Sequence, residues 1–134
     1  NSRLTTTTPL DNTEPAFDAC KLAEAAGAGL VGREVTLQTP SLKNLIKEGL
    51  THPGFAFIEV ISDCTEIFGR KNELGSSPEM ILRQKGAMRP DSYGNVVDRP
   101  FRPNVFETGV LARNDRPEYA ASYRRQTAER NRSA

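Results

Sequence analysis

Metal-binding and nucleophilic side chains are scarce in this sequence. It has two cysteines, Cys20 and Cys64, and one histidine, His52, in 134 residues. Two cysteines without a C-x-x-C pair make no disulfide framework, and they cannot close a metal centre that needs about four ligands. Charge of one sign is not in excess either. Eighteen Lys and Arg face 17 Asp and Glu, a net charge of +1, so no global field selects nucleic acid. No apolar run approaches the ~20 residues of a membrane span. No charged-then-apolar leader is visible, so no secretory signal is expected and a reducing cytoplasm is the expected compartment. No internal repeat is visible. Apolar residues make up 37% of the chain and the mean hydropathy is −0.54. Both are lean for a self-sufficient α/β domain. The length suits about one domain, and the lean core suits a piece that borrows apolar cover from neighbours.

What the chain does have is concentrated in Gly54–Asn72, GFAFIEVISDCTEIFGRKN. Phe55 to Ile61 is a short run of β-formers interrupted only by Glu59, which predicts a strand buried on both faces, as in a parallel sheet. Ser62-Asp63-Cys64-Thr65 follows at its carboxyl end, where chemistry gathers in open α/β sheets. Phe68-Gly69-Arg70-Lys71-Asn72 is a basic turn leaving the sheet. It suits an acidic protein partner or a cofactor phosphate, and equally a solvated loop.

Cys64 has three readings. A lone cysteine is commonly a small buried hydrophobe. A nucleophile needs a base, and His52 lies at the opposite end of the strand, ~20 Å of extended chain away. A metal ligand is the third, and only if the other ligands come from elsewhere. Cys20, in a stripe of small residues, reads as a packed core thiol. Glu59 reads as a carboxylate that caps backbone or pairs with a base rather than a catalytic group.

Thr13-Glu14-Pro15 carries helix-start chemistry, and Ala16 to Ala26 is predicted as a helix whose small residues Ala16, Ala19, Cys20, Ala23 and Ala26 permit close approach to a sheet. Gly27 is its expected C-cap. Gly27-Ala28-Gly29-Leu30-Val31-Gly32 spells G-x-G-x-x-G, but a dinucleotide fingerprint needs a strand before it and a helix after it, and the order here is reversed. Thr39-Pro40 opens a second helix with Leu42, Leu45, Ile46, Gly49 and Leu50 on one face. Helix, strand, helix, strand is the rhythm of a parallel α/β sheet. Ser77-Pro78 starts a short helix through about Lys85. Gly86 to Pro103 reads as an extended arm, Phe106 to Leu111 as a short strand, and Pro117 to Arg130 as a polar terminal helix. Six arginines lie between Arg113 and Arg132.

Four segments, in order, resemble the β subunit of the 2-oxoacid:ferredoxin oxidoreductases, particularly the 2-oxoglutarate type. GFAFIEVISDCTEIFGRKN is similar to the family's G-F-S-F-V-E-V-[IL]-S-P-C-P-T-x-F-G-R-[RK]-N. FDACKLAEAAGAGLVGR is similar to F-D-x-x-x-L-A-x-A-A-G-A-x-x-V-A-R. Pro78-Glu79-Met80-Ile81 matches the start of a following helix. Thr108-Gly109-Val110-Leu111 with Arg116-Pro117-Glu118-Tyr119 matches the closing G-V-[LF] and E-R-P-x-Y.

The resemblance implies an α/β fold, part of a parallel-sheet thiamine-diphosphate-binding domain over residues 1–86, followed by an arm, a short strand and a helix over 87–134. It implies that Cys64 is one ligand of a [4Fe-4S] cluster, that thiamine diphosphate and Mg2+ are held mostly outside this chain, and that no catalytic residue lies within it. The implied partners are the rest of the β subunit, the α subunit, ferredoxin, a 2-oxoacid and coenzyme A, with neither nucleic acid nor membrane. Asp63 and Thr65 stand where the family tends to have prolines. The thiamine motifs and three further cluster cysteines are missing, so the chain looks like the carboxyl-terminal part of such a subunit. Those same absences favour a rival, a non-catalytic interaction module with Cys64 buried and its arginine-rich end bound to a partner.

Overall fold

The computed structural model describes residues 4–10, 14, 17–90 and 105–133. In chain order the elements are α1 (Ala19–Ala25), β1 (Leu30–Val35), α2 (Thr39–Thr51), β2 (Ala56–Ile61), one π-helical turn (Thr65–Gly69), α3 (Ser77–Ala87), β3 (Met88–Pro90), β4 (Phe106–Arg113) and α4 (Tyr119–Arg132). The arm expected up to Pro103 lies largely outside the described residues, since only Gly86 to Pro90 of it are described.

The strands form one sheet in the order β2-β1-β4-β3. β1 and β2 are parallel and run in register from Leu30 opposite Ala56 to Val35 opposite Ile61. β3 and β4 are also parallel. β4 pairs antiparallel to β1, with an irregularity between Val31 and Gly32. The sheet is thus mostly parallel, as the helix–strand rhythm predicts, with one antiparallel junction. Residues 106–113 run beside β1 in the middle of this sheet.

β1 is the strand buried on both faces: all six of its residues are buried. β2 differs from expectation. It lies at the edge of the described sheet and its residues are half-buried or exposed, because it has a neighbour on one side only. Phe55 falls outside the strand and is 65% exposed. Leu30, Val31, Val35 and Leu111 are fully buried, each burial contributing about 1.5–3 kcal/mol. Cys20 and Ala23 of α1 pack with Val31, Leu111 and Ala112 in the same cluster.

The helices show how local chemistry sets boundaries. α1 starts at Ala19, later than the cap residues Thr13 to Pro15 suggest, and Thr13, Pro15 and Ala16 lie outside the described residues. The Asp18 carboxylate accepts from the Cys20 and Lys21 amides at 3.1 and 3.2 Å, satisfying two orphan donors that any helix start must satisfy. At the other end Gly27 takes φ +90°. Its amide donates to Glu24 and that of Ala28 to Ala23, the paired closure that only a residue tolerant of positive φ makes cheaply.

The strand β1 begins three residues after Gly27, so the glycine-rich stretch joins a helix to a strand, the reverse of a dinucleotide site. α2 buries Leu45 and seats Gly49 against Ile58. Leu50 instead stays 83% exposed, since α2 covers β1 and β2 and no described strand lies beyond β2. α2 is capped by Gln38 without a side-chain bond, and the Thr39 hydroxyl donates to the Thr36 carbonyl instead.

A candidate metal-ligand turn at the end of the second strand

β2 ends at Ile61, and three residues later Cys64 stands at the start of the π-helical turn. The turn closes with the Gly69 amide donating to the Cys64 carbonyl at 2.7 Å. This i to i+5 closure is wider than an α-turn, and it turns several amides toward the cysteine side chain. The backbone N–H groups of Phe68, Ile67 and Glu66 bear on the sulfur, Phe68 most strongly, and hold the thiol below its ordinary range. Slight desolvation and the nearby Asp63 oppose this. Cys64 is exposed. A free, exposed thiol with amides on its sulfur has the character of a ligand or a reactive thiolate, not of a packed hydrophobe.

Three contacts hold the turn. Asp63 accepts from the Ser77 hydroxyl at 2.7 Å, which ties it to the first turn of α3. Gly69 is buried, and a Cβ placed there would lie 2.8 Å from Met80 Sδ and 2.9 Å from the Cys64 carbonyl. Asn72 donates through Nδ2 to the Phe68 carbonyl at 2.8 Å and to the Leu4 carbonyl at 2.9 Å, and accepts from the Leu4 amide at 2.8 Å. Sequence reasoning passed over Gly69 and Asn72 as parts of a basic loop. Their signal was the F-G-x-x-N spacing itself, a glycine and an amide at fixed distances from the cysteine. Of the basic residues, Arg70 pairs with Glu66 at 3.4 Å on the surface.

The other singled-out residues lie elsewhere. Glu59 pairs with Arg33 in an ion pair, and Arg33 also donates to Asp18 at 2.7 Å. The Cys20 thiol is fully buried beside this group, 3.6 Å from Glu59 Oε2 and 3.8 Å from the Gly32 carbonyl. Burial pushes it up to about 12, with Glu59 and Asp18 adding to the effect and Arg33 opposing it. Cys20 is therefore an inert core thiol. His52 ends α2, and its Nε2 lies against Gly29 at the start of β1, the end of the parallel pair remote from Cys64. Among the described residues no group of three or more His, Cys, Asp or Glu could hold a metal ion. Cys64 is thus a single exposed donor, with no such group around it among the described residues. Among the described residues no helix is long and apolar enough to cross a membrane.

The architecture matches a solved 2-oxoglutarate:ferredoxin oxidoreductase from Magnetococcus marinus with 2-oxoglutarate, coenzyme A and succinyl-CoA bound. The TM-score is 0.69 over 95% of this chain and 45% of that one. At 18% identity this likeness concerns the fold. No protein-family model matches the chain.

Sequence similarity is closer to another set of proteins. The chain is 46% identical over 116 residues to 2-oxoglutarate synthase subunit KorB of Methanothermobacter thermautotrophicus, a match covering 84% of this chain and 39% of that relative. It is 43% identical over 76 residues to the subunit of the same name from Methanocaldococcus jannaschii, covering 57% and 28%. The chain therefore spans about two fifths or less of these curated relatives. A match over 84% of the chain necessarily includes its centre, and Cys64 with it.

Proposed function

We propose that this chain is the carboxyl-terminal part of the β subunit of a 2-oxoacid:ferredoxin oxidoreductase, within its thiamine-diphosphate-binding domain, and that it supplies Cys64 as one ligand of a [4Fe-4S] cluster. The complex converts a 2-oxoacid, 2-oxoglutarate in this reading, and coenzyme A to acyl-CoA and carbon dioxide with reduction of ferredoxin, or runs the reverse carboxylation. The remaining β-subunit segment, the α subunit and ferredoxin are its partners. The observation that carries the proposal is the Cys64 turn: an exposed thiol beyond the carboxyl end of β2, at the head of a turn that the Gly69 amide closes on the Cys64 carbonyl, inside a stretch similar to 2-oxoglutarate synthase subunits.

Thiamine diphosphate with Mg2+ would supply an electron sink for the decarboxylation, and a cluster held in part by Cys64 would supply one-electron transfer. The residues of this chain do three things toward that chemistry. Cys64 offers a sulfur that is readily deprotonated, as an iron ligand must be. The amides of Phe68, Ile67 and Glu66 orient that sulfur and offset its charge. Asp63, held by Ser77, places a carboxylate next to the ligand, and a negative charge there lowers a cluster's potential. The half-exposed β2, with Val60 exposed on it and Phe55 exposed just before it, supports a chain completed by other segments, since a bare apolar strand edge invites pairing.

Cys64→Ala in the assembled enzyme tests the proposal. The expected result is loss of one cluster's iron and sulfide with thiamine diphosphate still bound. Full iron content with undiminished ferredoxin reduction would overturn it.

A second reading, a non-catalytic interaction module, draws on α4. No residue of α4 is buried, Tyr119 and Tyr123 stack 6.1 Å apart, and the helix carries Arg124, Arg125, Arg130 and Arg132. Anaerobic native mass spectrometry of the protein from its source separates the two. A larger complex carrying iron, sulfide and thiamine diphosphate supports the enzyme; a folded species without metal supports the module.

A further inference from the structure

Leu4 and Asn72 are 68 positions apart and bonded twice, Leu4 N to Oδ1 and Nδ2 to the Leu4 carbonyl, at 2.8 and 2.9 Å. Only a side-chain amide sets a donor and an acceptor side by side in the way a peptide group requires. The Asn72 Nδ2 also donates to the Phe68 carbonyl, which the Asn72 backbone amide meets as well at 3.1 Å. Phe68 itself lies in the turn that Cys64 heads and that the Gly69 amide closes on the Cys64 carbonyl at 2.7 Å. Beyond Leu4 the chain turns on itself through threonines. The Thr5 amide donates to the Thr8 carbonyl at 3.3 Å, and the Thr8 amide to the Thr5 hydroxyl at 3.0 Å. One side chain thus bonds the residue before the threonine turn and the backbone of the turn that Cys64 heads.

We infer that Asn72 is a positioning residue that couples the segment Leu4–Thr8 to the Cys64 turn, so that docking of the threonine segment and occupancy of the sulfur site are linked. With the segment docked, both Asn72 donors are engaged and the Phe68 peptide is held. With it released, Asn72 loses two of its side-chain bonds and the turn loosens around the sulfur. Linkage is reciprocal, so a group bound at Cys64 also holds the threonine segment in place. The consequence for the cluster rests on the proposed role of Cys64; the clamp between Leu4 and Asn72 does not.

The test uses the assembled enzyme as wild type, Asn72→Ala and Asn72→Asp, with two readouts. Amide hydrogen exchange of Leu4–Thr8 is expected to speed up about tenfold in Asn72→Ala, the size expected for two partly buried hydrogen bonds. The midpoint potential of the cluster at Cys64 is expected to become more negative, because weaker N–H to sulfur bonds stabilise the reduced cluster less. Asn72→Asp keeps nearly the same shape and still accepts from the Leu4 amide, but it cannot donate to the Leu4 and Phe68 carbonyls, so it is expected to speed exchange by less than the alanine variant does, which separates the lost donors from lost volume.

A comparison that needs no variant is exchange of Leu4–Thr8 in wild-type enzyme before and after reconstitution with ferrous iron and sulfide, expected to be slower after. Faster exchange in the variants with an unchanged potential and no change on reconstitution would overturn the coupling and leave a simple clamp. Unchanged exchange in both variants would overturn the clamp as well. Full iron in Cys64→Ala would overturn the ligand assignment, and with it the coupling to the cluster, while the exchange of the Asn72 variants still decides the clamp.

Discussion

Arg33 on β1 and Glu59 on β2 face each other in register across the parallel pair and are joined as an ion pair. The same guanidinium reaches Asp18, the N-cap of α1, at 2.7 Å. Arg33 thus pins the edge strand that leads to Cys64 to the central strand and to the first helix. Its side chain is 8% exposed, against 27% and 32% for Asp18 and Glu59.

Replacing Arg33 leaves two partly buried carboxylates side by side without their cation. Arg33→Met is expected to destabilise the fold by about 3 kcal/mol, the range for breaking a buried pair by removing one partner. Arg33→Lys is expected to recover only part of this, since one ammonium cannot serve both carboxylates with a planar fork. Urea denaturation, compared at constant m-value, measures both.

The two cysteines should differ sharply in chemistry. Cys64 is exposed and its thiol is lowered by the Phe68, Ile67 and Glu66 amides, whereas Cys20 is fully buried and pushed up to about 12. In metal-free protein, iodoacetamide is expected to label Cys64 alone, with a pH midpoint below the ~8.5 of a free thiol. Cys20 should react only on unfolding. Peptide mapping across a pH series reads both, and early labelling of Cys20 would contradict the packing described.

Gly69→Ala puts a methyl 2.8 Å from Met80 Sδ and 2.9 Å from the Cys64 carbonyl. A cost of about 1–3 kcal/mol is expected from overpacking, with weaker iron retention at Cys64. Adding Met80→Ala removes one clash but not the other, because the second is with backbone. The double variant is therefore expected to stay below wild type in iron content.

Acid should weaken α4 through its cap. The Glu118 carboxylate accepts from the Ala120 and Ala121 amides at 2.7 and 2.6 Å, and these bonds hold it below the ordinary glutamate range. A carboxyl group lowered in the folded state stabilises fully above its unfolded value, about 4.3, and that stabilisation is lost as pH falls through the folded value. Glu79 is lowered in the same direction by the Ser76 amide and then the Ser76 hydroxyl. Helical circular dichroism is expected to fall with acidification from about pH 4.3 downward, and Glu118→Gln to flatten part of that fall.

Local features were legible in the residues. The stripe containing Cys20 and Ala23, the αL closure at Gly27, the strand from Leu30 and the α2 face around Leu45 are short-range consequences of period, cap and turn chemistry. The exclusion of a Cys64–His52 pair followed from strand length alone. The pairing of Glu59 with a base was also readable, but not which base, because Arg33 lies 26 positions away.

By itself the sequence determined an α/β order of elements, a cysteine beyond the carboxyl end of a strand, and a count of two cysteines, too few for a four-thiolate centre. Tertiary structure alone decided that β4 enters beside β1, that β2 lies at the described edge and stays half-exposed, and that Asn72 meets Leu4. The physical reason is range. Caps, periods and turns are settled by neighbours a few residues apart, whereas strand order, edge exposure and a two-point amide lock depend on which distant surfaces bury one another, and no local preference carries that information.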